Sequence, residues 1–300
     1  EIPQVLKEAK FIATTGRPGP VLVDIPKDIL NQITAWVEPS DLDLPGYKPT
    51  TEPNPKMVQQ ASALIKKSKK PILYVGGGII HSKANNELFE LATKFSIPVV
   101  TTLMGRGAFP DGHELCLEMP GMHGNYTATT SIQNADLLIA IGVRFDDRVT
   151  ANPSFFAQNA KVIHADIDPA EIGKVRDAQV PIVGDAKSVI KGLIEALGDE
   201  KLETESWVSE LKEMKTEFPL SYKQEEKGPL KVPYVLEKLQ KLTKEEAIVV
   251  AGVGQHQMWV SQHWNFTEPN TWLNSGGLGT MGYALPAAIG AKTAYQKSVP

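Results

Sequence analysis

Five short apolar runs, spaced through the middle of the chain and separated by helical stretches, constrain the fold more than any other feature. They are Pro71–Val75, Pro98–Thr102, Asp136–Ile141, Lys161–Asp166 and Val180–Gly184, and Val, Ile and Leu occupy both of their alternating faces. A strand that is apolar on both sides cannot border water, so helices must cover both faces of its sheet; crossover connections that supply such helices make the sheet parallel. Residues 56–198 are therefore expected to form a complete doubly wound α/β domain.

The flanks read as parts of further α/β units. A helical pattern from about Pro3 to Thr15, the turn Gly16-Arg17-Pro18-Gly19 and the β-branched run Pro20–Pro26 form one helix–turn–strand unit within residues 1–29. Residues 30–55 carry five prolines and no sustained period, which marks an extended linker. Residues 199–230 are highly charged, with Trp207, Leu211, Met214 and Phe218 at helical spacing, and read as an amphipathic connecting helix. Residues 231–300 begin a second α/β pattern: a helix at Val232–Leu242, a strand at Ala247–Ala251 and Gly-rich turns near Val253 and Ser275.

A length of 300 residues and 42% hydrophobic content suit about two soluble globular domains. The net charge of −4, spread over both signs, provides no positive field for a phosphate backbone, so nucleic acid is not expected as a partner. The basic run Lys66, Lys67, Lys69 and Lys70 reads as a solvated helix end. Cys116 is the single cysteine, which fits a reducing compartment and a passive loop position. Apolar runs such as Ala135–Val143 are too short to cross a bilayer, and no membrane association is expected. The chain opens in what already reads as a helix, so any targeting segment is expected upstream of Glu1.

Ligands of open parallel sheets bind outside the carboxyl ends of the strands, where backbone N–H groups and helix N-termini face solvent. Each of the five strands here is followed by residues suited to that edge. Gly76-Gly77-Gly78 follows the first, and Leu103-Met104-Gly105-Arg106-Gly107 follows the second. Gly142-Val143-Arg144-Phe145-Asp146-Asp147-Arg148 follows the third, Ile167-Asp168-Pro169 the fourth and Gly184-Asp185 the fifth. Glycines let a ligand approach backbone closely, carboxylates accept from ribose or ribityl hydroxyls, and five such edges together indicate a dinucleotide or flavin site. Arg144 and Arg148 are suited to holding a phosphate or keto-acid carboxylate in bidentate fashion, or to an internal salt-bridge network with Asp146 and Asp147. The Gly-flanked Met122-His123 pair on its own reads as loop packing.

In the last block, Gly252–Trp259 follows a strand and opens a helix, which suits a diphosphate at its amides, with Gln255 and His256 as further donors. Ser275–Gly282 sets four glycines around Leu278, with Thr280 and Met281 beside them, and such density lets carbonyls and a Met side chain approach a flat ring.

Taken with Gly16–Asp28, Gly121-Met-His-Gly124 and Val143-Arg-Phe-Asp-Asp-Arg-Val149, these strings resemble the acetohydroxyacid synthase (acetolactate synthase) family throughout the chain and in the family's order. The resemblance implies doubly wound parallel sheets in which a complete central FAD-binding domain is flanked by two incomplete thiamine-diphosphate-binding-fold domains: the end of a pyrimidine-binding domain and the start of a diphosphate-binding domain. It implies the decarboxylating joining of two pyruvates, or of pyruvate and 2-ketobutyrate. Thiamine diphosphate would be the electron sink, FAD largely structural, and Mg2+ held by ligands beyond Pro300 and by none in this chain. On the thiamine side it implies Val253, Gly254, Gln255 and His256 at the diphosphate and thiazolium, Gly279 accepting from the aminopyrimidine, and Met281 supporting the bent cofactor.

On the flavin side the resemblance implies Gly76, Gly77, Gly78, Thr102, Leu103, Met104, His123, Gly142, Arg144, Asp146, Arg148, Asp166, Ile167 and Asp185. Arg148 would also engage the second keto acid, and Met122, Asp147 and Arg148 would fall in the substrate and inhibitor channel, with Met281, Gln255 and Arg148 closest to the chemistry. A homodimer, a separate regulatory subunit, and a cytoplasmic location in a bacterium or an organellar one in a eukaryote are implied as well. The family's activating glutamate would precede Glu1, so the chain as given is expected to be inactive alone. Pro120 and Arg106 depart from the family's usual leucines. Other thiamine-diphosphate carboligases and oxidases of the same architecture, such as glyoxylate carboligase, or a non-catalytic nucleotide-binding module, are the competing readings.

Overall fold

The computed structural model describes residues 1–243 and 246–295. In chain order its elements are α1 (Ile2–Thr14), α2 (Lys27–Leu30), α3 (Pro55–Ile65), β1 (Pro71–Val75), α4 (Gly77–His81), α5 (Asn85–Phe95), β2 (Val99–Thr101), α6 (Tyr126–Asn134) and β3 (Leu137–Ile141). There follow α7 (Asp147–Thr150), β4 (Lys161–Asp166), β5 (Val180–Val183), α8 (Ala186–Leu197), α9 (Glu205–Glu217), α10 (Val232–Leu242), β6 (Val249–Ala251), α11 (Gln255–His263), β7 (Trp272–Asn274) and α12 (Ala284–Ala294).

All five apolar runs are strands of one parallel sheet in the order β2-β1-β3-β4-β5. Their alternating residues separate into two cores. Leu73, Val75, Ile139, Ile141 and Ile163 face a cluster with buried residues of α3, α5 and α8. Ile72, Tyr74, Leu138, Ala140 and Val162 face a second cluster that includes Ala128 and Ile132 of α6. Both faces are thus dry, as the composition of the strands requires.

Helix α9 contributes to that second cover. Trp207 and Leu211 are each 1% exposed and belong to the core on the α6 side, and the Trp207 indole N–H donates to the Pro71 carbonyl at 3.2 Å. The segment expected as a connector is thereby part of the central fold, because the back face would otherwise lie open beyond α6. The basic run lies at the end of α3 with Lys66, Lys67 and Lys69 exposed, as expected of a solvated helix end, and it also makes ion pairs. Lys66, Lys69 and Lys70 pair with Glu200, Glu203 and Glu210, and Lys70 lies over the Trp207 ring, so the run fastens the 200–210 segment to the sheet. These pairs are solvent-exposed and each contributes modestly.

The run Pro20–Pro26 does not form a strand; it is extended, unpaired backbone with Leu22 92% exposed. β-branched composition favours a pleated, half-buried setting, and no neighbouring strand is there to provide one. Helix α1 is instead tied to the linker: Phe11 meets Tyr47 edge-on, and the Tyr47 hydroxyl donates to the Thr15 carbonyl at 2.9 Å. The last region forms a two-stranded parallel sheet, β6-β7, around Val260, Trp264, Phe266 and Trp272. The lone thiol, Cys116, is fully buried, and burial pushes its pKa up to about 12. Among the described residues no helix is long and apolar enough to cross a membrane.

Replacing Trp207 with Ala is expected to lower unfolding free energy by about 3–5 kcal/mol, the usual cost of emptying an aromatic core site. Urea unfolding would measure it, and a loss under 1 kcal/mol would mean that α9 is not part of the central core.

Candidate active site: a cleft at the strand ends

The order β2-β1-β3 places a topological switch point between β1 and β3, where the chain leaves the sheet in opposite directions. The two turns meet there backbone to backbone. The Gly78 N–H donates to the Gly142 carbonyl at 3.2 Å, and a Cβ on Gly78 would sit 2.5 Å from the Gly142 Cα. A Cβ on Gly76 would lie 2.4 Å from the Gly142 oxygen, and Gly142 itself has φ +61°. Only glycine fits these positions, for lack of space and, at Gly142, for backbone conformation as well.

Beside this crossing opens a cleft of about 470 Å³, within the range of small-molecule and cofactor sites. It receives Gly77 and Gly78 from the first turn and Thr102, Leu103 and Met104 from the second. Gly142, Arg144, Asp146 and Arg148 come from the third, and Asp166, Ile167 and Asp185 from the last two. Two expected residues lie elsewhere. Gly76 is packed behind the crossing, and His123 does not line the cleft; its carbonyl accepts from Gln262 of α11 at 2.8 Å. Met122, 62% exposed, still lies beside Arg148, because its N–H donates to the Arg148 carbonyl at 2.8 Å. Met122 and Asp147 thus neighbour Arg148, the one of the three that lines the cleft.

The acidic side chains there also serve the backbone. Asp146 caps α7 by accepting from the Arg148 N–H at 3.0 Å and pairs with Arg144. Asp185 caps α8 through the Lys187 and Ser188 N–H groups, and Asp166 accepts from the Asp168 N–H. The salt-bridge alternative thus holds for Arg144 with Asp146, while Arg148 stays 69% exposed with Asp147 only at 4.0 Å. Burial, against a backbone N–H donor, raises the Asp166 carboxyl above its ordinary pKa.

Beneath the arginine loop, Phe145 adopts φ +50° and lies edge-on to Tyr74 and to the fully buried His164, at 5.5 and 5.0 Å between ring centres. His164 Nε2 lies 2.8 Å from the Val143 carbonyl, which the neutral ring satisfies by donating its proton. Desolvation holds the His164 pKa below its ordinary value, and the Val143 carbonyl opposes that only in part.

Several cleft residues were not anticipated from sequence. Thr14, Thr15, Gly16, Arg17 and Pro18 close one side. Arg17 bridges to Glu171 at 2.7 Å and to Asp168 at 3.2 Å, across 154 and 151 residues of sequence. His81, Ser82, Glu171 and Gly276 also line the cleft. The one available signal was Arg17 within Gly16-Arg-Pro-Gly19, a cation at a turn with no local carboxylate to pair with.

Gly276 belongs to the second set of turns. A Cβ there would lie 2.5 Å from the Met104 sulfur and 3.2 Å from Leu103, so the Ser275–Gly282 turn presses on the cleft's edge. That turn in turn meets the Gly252–His256 turn: a Cβ on Gly279 would touch Val253 at 3.9 Å, and Gln257 donates to Asn274 at 3.0 Å. Gly254, with φ +145°, starts α11 with no side chain capping its first amides, an arrangement suited to an anion. The His256 ring lies 3.3 Å from the Cβ positions of Gly252 and Gly254. Gln255 and His256 are exposed, and Met281 is 86% exposed. Among the described residues no group of three or more His, Cys, Asp or Glu could hold a metal ion.

Two parts of the chain match models of known families. Residues 58–193 match the thiamine pyrophosphate enzyme central domain, and residues 252–299 match the thiamine pyrophosphate enzyme C-terminal TPP binding domain. The acetolactate synthase large subunit of Corynebacterium glutamicum is 56% identical over 97% of this chain and 47% of its own length. The chain belongs to the acetolactate synthase family of thiamine pyrophosphate enzymes. The acetolactate synthase of Mycobacterium leprae is 55% identical over 98% of the chain and 48% of its own length. Chloroplastic acetolactate synthase 1 of Oryza sativa subsp. japonica is 48% identical, covering 98% and 46%. The chain spans about half the length of these acetolactate synthase relatives.

Two outcomes test the site. Gly142→Ala is expected to cost about 1–3 kcal/mol, since the residue is held at positive φ against the Gly78 backbone; a Tm unchanged from the parent would show that the crossing is loose. Because the folded-state pKa of His164 is depressed, its contribution is intact above the ordinary value of 6.5 and is lost as pH falls through and below it. Thermal melts across mildly acidic pH should show that decline in the parent and a flatter profile in His164→Gln, which can keep a donor for Val143; identical slopes would show that His164 is not the group that titrates.

Proposed function

We propose that this chain is the central part of an acetolactate synthase catalytic subunit. Its cleft would hold FAD, and its Gly252–His256 and Ser275–Gly282 turns would hold one side of thiamine diphosphate. The observation that carries the reading is the contact of Gly276 with Leu103 and Met104, which joins the two sets of turns edge to edge.

The residues present suit both groups. For the flavin dinucleotide there is a cleft at the switch point where Gly78 and Gly142 leave no room for a Cβ, with exposed Arg144 and Arg148 for its anionic part. Asp166 and Asp185 stand at neighbouring strand ends to accept from hydroxyls. For the diphosphate there are the uncapped α11 N-terminus and Gly254 in a conformation that side chains avoid. Thiamine diphosphate, when bound, supplies the electron sink for breaking the bond to a 2-keto acid's carboxylate.

The protein's own groups bind, orient and exclude water. Val253, Gly254, Gln255 and His256 would fix the diphosphate and thiazolium side, the Gly279 carbonyl would accept from the aminopyrimidine, and Met281 would support the ring. Arg148, exposed at the cleft mouth beside Met122, would bind the carboxylate of the second keto acid through its planar fork. The overall reaction would be decarboxylating carboligation of two pyruvates, or of pyruvate and 2-ketobutyrate. Met122, Asp147 and Arg148 would line the route to the site. A homodimer of catalytic subunits, a separate regulatory subunit and Mg2+ belong to the same reading.

The test uses the full-length protein. It should purify yellow, with bound FAD, and convert pyruvate to acetolactate when Mg2+ and thiamine diphosphate are supplied. A colourless protein with no affinity for FAD would contradict the cleft assignment, and a yellow one without acetolactate formation would contradict the reaction. Arg148→Lys, which keeps the charge but loses the fork, is expected to reduce kcat/KM for the second keto acid by about tenfold or more, the worth of one charge-assisted hydrogen bond.

A further inference from the structure

The second strand-end turn carries Arg106 between two glycines, and its side chain does not line the cleft. It turns inward and is 2% exposed, forming two parallel hydrogen bonds to Asp111, Nη1 to Oδ1 at 2.7 Å and Nη2 to Oδ2 at 2.6 Å. Nη1 also donates to the Thr101 hydroxyl at 3.1 Å, at the end of β2. The opposite side of this pair is built by the last region of the chain. The guanidinium carbon lies 5.4 Å from the centre of the Phe266 ring, the Phe266 N–H donates to Asp111 Oδ2 at 2.7 Å, and the Asp111 N–H donates to the Phe266 carbonyl at 3.1 Å. Gly107, with φ +83°, brings the same turn so close that a Cβ would sit 2.5 Å from the Glu268 carbonyl oxygen.

Leu103 and Met104 precede Arg106 by three and two positions and form part of the cleft wall. Leu103 packs against the Phe266–Trp272 core of the last region, and Met104 is the side chain on which Gly276 presses. The turn from Thr102 to Gly107 is therefore held at two points by the last region: by Phe266 and Glu268 behind the cleft, and by Gly276 at its rim. A fully buried ion pair gives little net stability over an apolar packing of the same shape, but it strongly penalises any displaced docking that leaves one charge unpaired. A planar fork on a carboxylate tightens that requirement further, because it accepts one orientation.

We propose that Arg106 and Asp111 are a positioning pair that sets how the last region docks on the central sheet, and through it the placement of Leu103 and Met104 in the cleft. The pair touches no ligand site itself and acts through the turn that precedes it. The consequence is that affinity for the cleft's cofactor depends on an ion pair behind the wall. This rests on the reading of the cleft as an FAD site.

The test is made in the full-length protein with FAD as the probe. Arg106→Met removes the fork, Arg106→Lys keeps the charge without it, and Leu193→Ala removes a fully buried side chain from the α8 core, away from the joint. FAD affinity is measured by flavin fluorescence, and amide exchange is followed over residues 266–276. Arg106→Met is expected to weaken FAD at least tenfold and to speed exchange across 266–276. Leu193→Ala, destabilised to a similar or greater degree, should keep its FAD affinity within twofold of the parent. Should Arg106→Met fail to fold, Arg106→Lys is expected to show a threefold or larger loss with the same exchange signature. Unchanged FAD affinity in the folded Arg106 variants would overturn the proposal, as would an equal loss in Leu193→Ala, which would make the effect one of general stability. A parent protein that does not bind FAD would instead overturn the reading of the cleft.

Discussion

The approach of Gly76 and Gly78 to Gly142 is the constraint on which the site depends. The strand-end turns of β1 and β3 touch chiefly through main chain, at distances where a Cβ on Gly76, Gly78 or Gly142 would collide with backbone. Two consequences follow from that contact. The ends of the two central strands are fixed relative to each other, and the chain leaving each must diverge, which opens the cleft beside them. The arginine loop then starts from a fixed point at Gly142. Its departure is shaped by Phe145 at positive φ and held from below by His164 through the Val143 carbonyl.

What surrounds the cleft combines structural and ligand-type roles in the same side chains. Asp146 and Asp185 are helix caps, and Asp166 closes a local turn. At Asp166 and Asp185 a carboxylate engaged on one oxygen by backbone N–H groups is held in a defined orientation with its other oxygen left to accept, whereas the second oxygen of Asp146 pairs with Arg144. The caps at Asp166 and Asp185 are therefore compatible with the proposed role of these residues toward the cofactor. Arg148 differs, since it has only a distant partner and stands in solvent at the cleft mouth.

The central sheet was legible in the sequence because its strands are apolar on both faces, a pattern that leaves one architecture open. All five appear within a residue or two of their expected limits. Pro20–Pro26 has the same local pattern and forms no strand, because pairing is a property of neighbours and none is present to pair with it. Trp207 was visible as part of an amphipathic helix, but not the surface it covers. The ligand-type turns were legible from glycine placement, whereas Arg17 and Arg106 were not. Arg17 finds its carboxylates more than 150 residues away, and the inward turn of Arg106 depends on Asp111 and Phe266 meeting it from two parts of the chain. His123 and Gly76 show the converse: residues in suitable strings that the fold sets outside the cleft wall.

The central claim is that two adjoining sets of backbone turns grip two different cofactors. Hydrogen exchange of the full-length protein, with FAD and thiamine diphosphate added separately, tests it most directly. FAD should slow exchange at residues 76–78, 102–104 and 142–148, and thiamine diphosphate with Mg2+ should slow it at 252–257 and 277–282, while Gly276, which lines the flavin cleft, is left out of the comparison. Protection by either cofactor in the other's turns, or by neither in any of them, would contradict the account.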